Sequence, residues 1–458
     1  MGARTLFALA FCALSVVACR KEPEAWDAAV EHPWMSGGSQ TVFDAGAGAF
    51  GHPFPDMDAS AASMHDIGDG LFGATFVSAP ATLNPGLGPI FNSVSCSSCH
   101  VADGRGKPPE AGEQLLSMLF RISVPGIGPH GSPVPVPGFG GQLQQRAVYG
   151  ALPEAQVNTA WSTTNITLAD GTIVELRAPV YTLSAPYSTW PGDAMLSPRV
   201  APPVFGLGLL AAIGAAEIRS GADEGDADGD GISGKANEVW DEEHRTMALG
   251  RFGWKAEQPS LLQQSAGAYV EDMGITNPLF PQESSYGQPQ YDGRTDETEV
   301  TDSVLHAVAF YVRSLAVPAR RDVRAENVLL GEQVFHTAMC DRCHVPEQRT
   351  AVDMSFPPLS NQRIFPYTDL LLHDMGDGLS DQRPTYLASG TEWRTPPLWG
   401  IGLTRVVNGH QYFLHDGRAR SLLEAMLWHG GEAQQSSAMV RALPTVEREA
   451  LIAFLNSL

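Results

Sequence analysis

Cys96-Ser97-Ser98-Cys99-His100 and Cys340-Asp341-Arg342-Cys343-His344 are two copies of one pattern, C-x-x-C-H, and their reading decides the fold. Thiols at that spacing suit the two vinyl groups of one haem, and a histidine directly after the second thiol reaches the iron from the same side. A C-x-x-C pair also supplies half of a tetrahedral zinc site. That alternative leaves the histidine after both pairs without a role. The pattern therefore predicts two covalent c-type haems on Cys96, Cys99, Cys340 and Cys343, with His100 and His344 as iron ligands.

The other two cysteines, Cys12 and Cys19, fall in an N-terminal export segment. Arg4 carries its charge, Leu6 to Val17 is an apolar run too short to span a bilayer and stay, and Val16-Val17-Ala18-Cys19 resembles a lipoprotein cleavage box. Residues 1–18 are thus expected to be a signal peptide, with Cys19 the lipidated start of the mature chain. Each buried CH₂ of an acyl chain contributes about 0.8 kcal/mol, so several chains hold an otherwise soluble protein on a membrane. The expected location is the periplasmic face of a Gram-negative membrane; the alternative is a soluble exported protein cleaved near Ala18. With four cysteines on haem and one on lipid, the mature chain keeps none for a disulfide.

Stability must then come from a core, for which 458 residues with 43% hydrophobic content suffice. The formal charge of −22 argues against nucleic acid and steers a cationic redox protein, such as a small cytochrome or cupredoxin, towards the surface. Forty-seven glycines and 34 prolines, with few charges, predict many loops.

Comparing the chain with itself predicts its domains. Ile90-Phe91 precedes Cys96 at the offset at which Val334-Phe335 precedes Cys340, and Tyr311-Val312-Arg313-Ser314-Leu315 matches the final Phe454-Leu455-Asn456-Ser457-Leu458. Both closing segments carry apolar residues at three- and four-residue spacing, as helices do. The expectation is a mainly α protein of two cytochrome c-like haem modules, residues 61–315 and 331–458. The segment 19–60 serves as anchor and surface wrap, and 316–330 as linker. The first module is far longer and carries a loop-rich insertion with some β structure, notably the β-branched stretch Thr172 to Leu183.

Within the insertion, Asp226, Asp228 and Asp230 alternate before Gly231, as in the first half of a calcium-binding EF-hand loop. The position that needs a bidentate Glu is Asn237, with Glu238 one residue late. Calcium and a solvated acidic turn are the two readings.

What each iron does depends on its second axial ligand. After the second hook the candidates are His373, Met375, His410, Tyr412, His415 and His429; in the first module they are Met118, His130, Met195, Met247 and Met273. Any of these histidines also suits a core or surface role.

Taken together, FNSVSCSSCH, RVAPPVFGLGLL, DADGDGISG, GRFGWKA, PYTDLLLHDMG, EWRTPPLWGIGLT and FLHDGRARSLLEAMLWHGGEA resemble the di-haem oxidoreductase family of peroxidase-like or thiol oxidoreductase proteins, from about Ser36 to the end. The chain is similar, more distantly, to di-haem cytochrome c peroxidases and MauG enzymes. The resemblance implies cleavage of a peroxide at one haem, with electrons arriving through the other. It also implies a general acid–base group above the reactive iron, which on the DGRA-x-x-L pattern is Glu432 with His429 near it. Trp254 would be an electron relay between haems, against the plainer reading of an aromatic filling the interface. Two positions depart from the pattern. Leu414 stands where the peroxidases place a methionine ligand, so His415 would ligate instead or the second haem would be open. Ala211 stands where the family usually has Glu. Two other functions stay open at this point: electron transfer without catalysis, and oxidation of an organic substrate in the manner of MauG or rubber oxygenases.

Overall fold

Two pairs of crossed helices organise the chain. Ala59–Phe72 packs on Asp302–Arg313, and Glu326–Thr337 packs on Thr445–Ser457. One glycine lets each pair approach closely. A Cβ on Gly68 would stand 2.3 Å from the Ala307 carbonyl oxygen, and one on Gly331 would stand 1.9 Å from that of Ala450. Four residues later Phe72 and Phe335 meet Tyr311 and Phe454, with ring centroids 5.2 and 5.1 Å apart. The two pairs thus share G-x-x-x-F on the leading helix against A-x-x-x-Y/F on the closing one.

The expected correspondence of the closing helices agrees with this geometry; that of the leading segments does not. Ile90–Phe91 is a strand paired with Arg146–Ala147, whereas Val334 and Phe335 are helical. Leu71-Phe72 is the counterpart of Val334-Phe335, and the chain from there to Cys96 is an addition in the first half. A third shared element went unpaired in the sequence reading: Pro202-Pro203-Val204-Phe205-Gly206-Leu207-Gly208 and Pro396-Pro397-Leu398-Trp399-Gly400-Ile401-Gly402. A Cβ on Gly208 would lie 1.8 Å from the Arg313 carbonyl oxygen, and on Gly402 2.1 Å from that of Asn456, equivalent points on the closing helices. The loops also interlock, because a Cβ on Gly206 would strike Trp399 and one on Gly400 would strike Phe205.

The computed structural model describes residues 32–291, 293 and 298–458, so the expected signal peptide and Cys19 lie outside the described residues. The described residues are 29% helix and 19% strand, a mixed rather than mainly α protein. Most strand residues lie in the insertion, where β-branched residues recur over long stretches. Gln156–Thr167 and Ile173–Ser184 pair along their whole length, and Met118–Ser123 pairs with Met195–Val200. The expected strand at Thr172 to Leu183 is the second arm of the long hairpin. That hairpin straps the two halves together. Leu168 and Leu176 pack on Leu427, while Asp170 at its tip accepts hydrogen bonds from Arg448 and Thr445 at 2.6 and 2.7 Å.

Both the segment before the first module and the expected linker reach into the core. Phe50 and Phe54 are buried, and Val317–Pro318 pairs with Thr41–Val42 while Ala316 and Val317 are fully enclosed. A buried Arg320–Glu332 ion pair at 2.8 Å follows at once. Phe50, Leu209 and Tyr311 share one core with Phe356, Leu371 and Trp399, and residues 34–458 form one unit. Among the described residues no helix is long and apolar enough to cross a membrane.

Candidate cofactor site

Each hook is a single tight turn closed in the same way. The His100 amide donates to the Cys96 carbonyl, and the His344 amide to the Cys340 carbonyl, both at 3.0 Å. Behind each ring stands a carbonyl. His100 Nδ1 donates to Pro202 at 2.7 Å and His344 Nδ1 to Tyr367 at 3.0 Å, which places the proton on Nδ1 and leaves Nε2 as a lone-pair donor. Burial pushes both imidazoles down to about 4, so they are neutral, the form in which histidine binds a metal.

Both hooks open on one cavity of about 390 Å³. Its wall is mostly apolar but carries the buried cations Arg105 and Arg199. Arg105 Nε lacks a hydrogen-bond partner, which is costly for a buried guanidinium and favours an acceptor in the cavity, whereas Arg199 is already paired with Glu257 and Asp381. A zinc site would need each hook to gather its sulfurs and imidazole around a point. Among the described residues, only Asp226, Asp228 and Asp230 gather in that way.

A family model described as "Di-haem oxidoreductase, putative peroxidase" matches residues 30–458. The chain belongs to that family. No curated protein matches the sequence. Among solved structures, a hydrazine synthase of Kuenenia stuttgartiensis pressurised with xenon is similar at 18% identity and a TM-score of 0.23. That match covers 35% of this chain and 57% of the synthase chain. The family's two haems fit what the cavity presents: two neutral, anchored imidazoles, with the unpaired Arg105 Nε–H suited to an acidic group of a bound cofactor.

Of the residues expected at the site, Trp254 and His415 line the shared cavity and Glu432 does not. Val200 ties the first two together: its carbonyl accepts from Trp254 Nε1 and its amide donates to the His415 carbonyl, both at 2.8 Å. His415 lies flat on Trp393, ring centroids 3.7 Å apart, and burial pushes it down to about 3. Glu432 is fully engaged. It accepts from Ser233 N and Oγ, from Asp374 N, and pairs with His373 Nδ1 at 2.7 Å. Burial would raise this carboxylate, but those bonds, His373 first, hold it down at about 2. His373 is bound on its other nitrogen by Asp369 at 2.8 Å; against burial, the hydrogen bonds to Asp369, Cys343 and Glu432 keep it well above the usual histidine value. His429 does line the cavity, with Nδ1 donating to the Ala425 carbonyl at 2.7 Å.

The remaining axial candidates divide by position. Met118, Met273 and Met375 line the cavity; His130, Met195, Met247, His410 and Tyr412 do not. His130 stacks on Trp240, His410 bonds to the Arg105 carbonyl, and Tyr412 bonds to Glu110.

The helix Leu261–Met273 carries residues that the sequence reading missed. Ser260 caps it by accepting from the Gln263 amide, and Gly274 ends it at a φ of +67°. Leu261, Gln264, Ser265, Ala268 and Asp272 line the cavity from one face. Asp272 stands beside the first hook: its carbonyl accepts from Asn92 N and Ser93 N, and its charge helps raise both Cys96 and Cys99. Burial raises its own carboxyl, against Arg121 and a hydrogen bond from Gln142 to Oδ1. Oδ2 and Gln264 Oε1 have no partner. The available signal was a stripe of Gln264, Ala268 and Asp272 at four-residue spacing, interleaved with buried Tyr269, Val270 and Met273.

The acidic loop brings Asp226, Asp228 and Asp230 within 4.8 Å of one another. It lacks the closing ligand. Asn237 turns inward to the Lys255 and Thr385 carbonyls, and Glu238 is bidentate on Arg219 at 2.8 and 3.0 Å.

Proposed function

We propose that this chain is an exported c-type oxidoreductase that reduces peroxide, with two cytochrome c-like halves each carrying one covalent haem. The observation that carries the reading is that both hooks, each with an anchored neutral histidine, open on a single cavity with Trp254 in its wall. When bound, haem supplies an iron that activates the peroxide and exchanges electrons with its neighbour. Trp254 lies within the shared wall, where it serves electron passage, packing or both.

The protein's own part is proton handling, and the geometry favours the first hook for it. Asp272 lines the cavity half-buried, its carboxyl is raised and its side-chain hydrogen bond from Gln142 falls on Oδ1, which leaves Oδ2 to act as a general acid–base group. On this reading Oδ2 takes the proton from the near peroxide oxygen and returns it to the leaving one, while the Gln264 amide orients the substrate. Glu432 suits another role. Its carboxylate is held ionised by His373 and three further donors, so it acts as a clasp between the acidic loop and the second half.

Electrons would come from a cationic small cytochrome or cupredoxin, drawn by the charge of −22, and Cys19 would anchor the chain by lipid to a periplasmic membrane face. Calcium at Asp226, Asp228 and Asp230 belongs to the same proposal in a weak form, because the bidentate ligand is missing. Calorimetric titration with Ca²⁺ that releases no heat would remove it.

The test of the whole is the holoprotein matured in a host that attaches c-type haem. Acid-acetone extraction should leave two haems per chain on the polypeptide, and the reduced protein should consume peroxide. Haem that extracts freely would overturn the attachment; inertness towards peroxide with both haems in place would overturn the activity.

A further inference from the structure

We infer that His429 is the second axial ligand of the iron carried by His344, which makes the second haem a six-coordinate, bis-imidazole centre. The inference deepens the proposed function and rests on its reading of two bound haems.

His429 has the anchoring that ligand histidines show. Its Nδ1–H is spent on the Ala425 carbonyl at 2.7 Å, so Nε2 carries a lone pair, and no hydrogen bond uses it. Nε2 has the cavity to face, and the cavity is the one that the second hook opens on. Both imidazoles line that cavity. With Nδ1–H held by a carbonyl, Nε2 keeps its lone pair for a group bound in the cavity.

The backbone holds the ring in place. His429 caps the helix Leu422–Trp428, its amide bonded to the Met426 carbonyl. Gly430 and Gly431 then let the chain pass against residues 374–376, where a Cβ on Gly431 would stand 2.2 Å from the Asp374 carbonyl oxygen. The ring is therefore fixed through its own nitrogen, its helix and its following turn, as ligation at a set distance requires.

The competing side chains lack one or another of these features. His373 has both nitrogens bound to carboxylates. His415 lines the cavity, but neither nitrogen is anchored: the Asp416 carboxylate is 3.8 Å from Nε2, beyond hydrogen-bonding reach. Met375 and Met426 are thioethers on the same wall.

The experiment begins with the wild-type holoprotein. Pyridine haemochrome first counts covalent haem; fewer than two per chain would defeat the reading beneath this inference and not the ligation itself. With two haems present, near-infrared magnetic circular dichroism of the ferric protein should show one bis-imidazole low-spin haem. Its absence, or a histidine–methionine band in its place, overturns the inference without any variant. If the bis-imidazole haem is present, His429→Ala should convert it to high-spin, His429→Met should convert it to a histidine–methionine low-spin centre of higher potential, and His415→Ala should leave it intact. Loss of the band in His415→Ala but not in His429→Ala would assign the ligand to His415 and overturn the proposal.

Discussion

Around His100 the cavity wall offers one group that can handle a proton, the raised carboxyl of Asp272, and one that can orient a substrate, the Gln264 amide with its Oε1 unpaired. Around His344 it offers the imidazole of His429, with one nitrogen tied to a carbonyl and the other unused. The hooks themselves differ little, since each closes its turn with the same amide-to-carbonyl bond and anchors its histidine on a carbonyl. The proposed division of function rests on what the tertiary fold places near each hook: an acid–base group suits a reacting iron, and a second strong ligand suits an electron carrier.

The broadest way to break this comparison is to remove one hook at a time. Cys96→Ala and Cys340→Ala should each halve covalent haem by pyridine haemochrome. Loss of the first should abolish peroxide turnover, and loss of the second should starve it of electrons. Equal residual activity in both variants would mean that the hooks are interchangeable.

A finer cut goes through the proton donors. Asp272→Asn should lower peroxide turnover by roughly 10²–10⁴ while haem content stays at the wild-type level. As a base, Asp272 fails when pH falls through its raised value, so the acid limb of the wild-type profile should lie above the ordinary carboxylate range and vanish in the variant. Glu432→Gln should leave turnover within a few-fold of wild type. The reverse pattern in the two variants would move the reactive centre to the second hook.

Glu432 should instead show itself in stability. Losing its pairing with His373 is expected to cost roughly 3 kcal/mol, read by denaturant unfolding of the holoprotein. Glu432 is depressed from 4.5 to about 2, so its contribution is present above pH 4.5 and lost as pH falls through about 2. His373 is raised above 6.5, so its share is complete below that pH and is lost as pH rises through the raised value. The difference between wild type and variant should thus be largest between pH 4.5 and 6.5. A difference that is flat with pH would deny the pairing.

The smallest effects test the likeness of the halves. Gly68→Ala and Gly331→Ala each press a methyl against a carbonyl and should destabilise by about 1–3 kcal/mol. Gly70→Ala, on the same helix as Gly68 but with open space around it, should be neutral or stabilising by up to about 1 kcal/mol. A large cost at Gly331 with none at Gly68 would mean that only the second crossing is tight.

Much of the cofactor site was legible because its chemistry is local. C-x-x-C-H is contiguous, and each five-residue turn presents its thiols and imidazole to the same cavity. The closing helices were legible through their periodicity. The leading helix was misplaced because Ile90-Phe91 imitates Val334-Phe335 over two residues, and only pairing with Arg146–Ala147 shows it to be a strand. Similarly, Pro202 to Gly208 and Pro396 to Gly402 are alike in sequence, but their significance lies in the reciprocal packing of Phe205 on Gly400 and Trp399 on Gly206.

From the sequence alone came the two hooks, their histidines and the expectation of haem, for these depend on bonds made within five residues. Only the tertiary structure decided the neighbours. Asp272 reaches the first hook from a helix that begins some 160 residues later in the chain. Glu432, which the motif put above an iron, is drawn away by Ser233 and His373 from distant segments. His429 and His415 are equally plausible in one dimension, and what separates them is a carbonyl behind one ring and a tryptophan beneath the other. Such choices turn on a few ångströms between segments remote in the chain, and no local pattern encodes those distances.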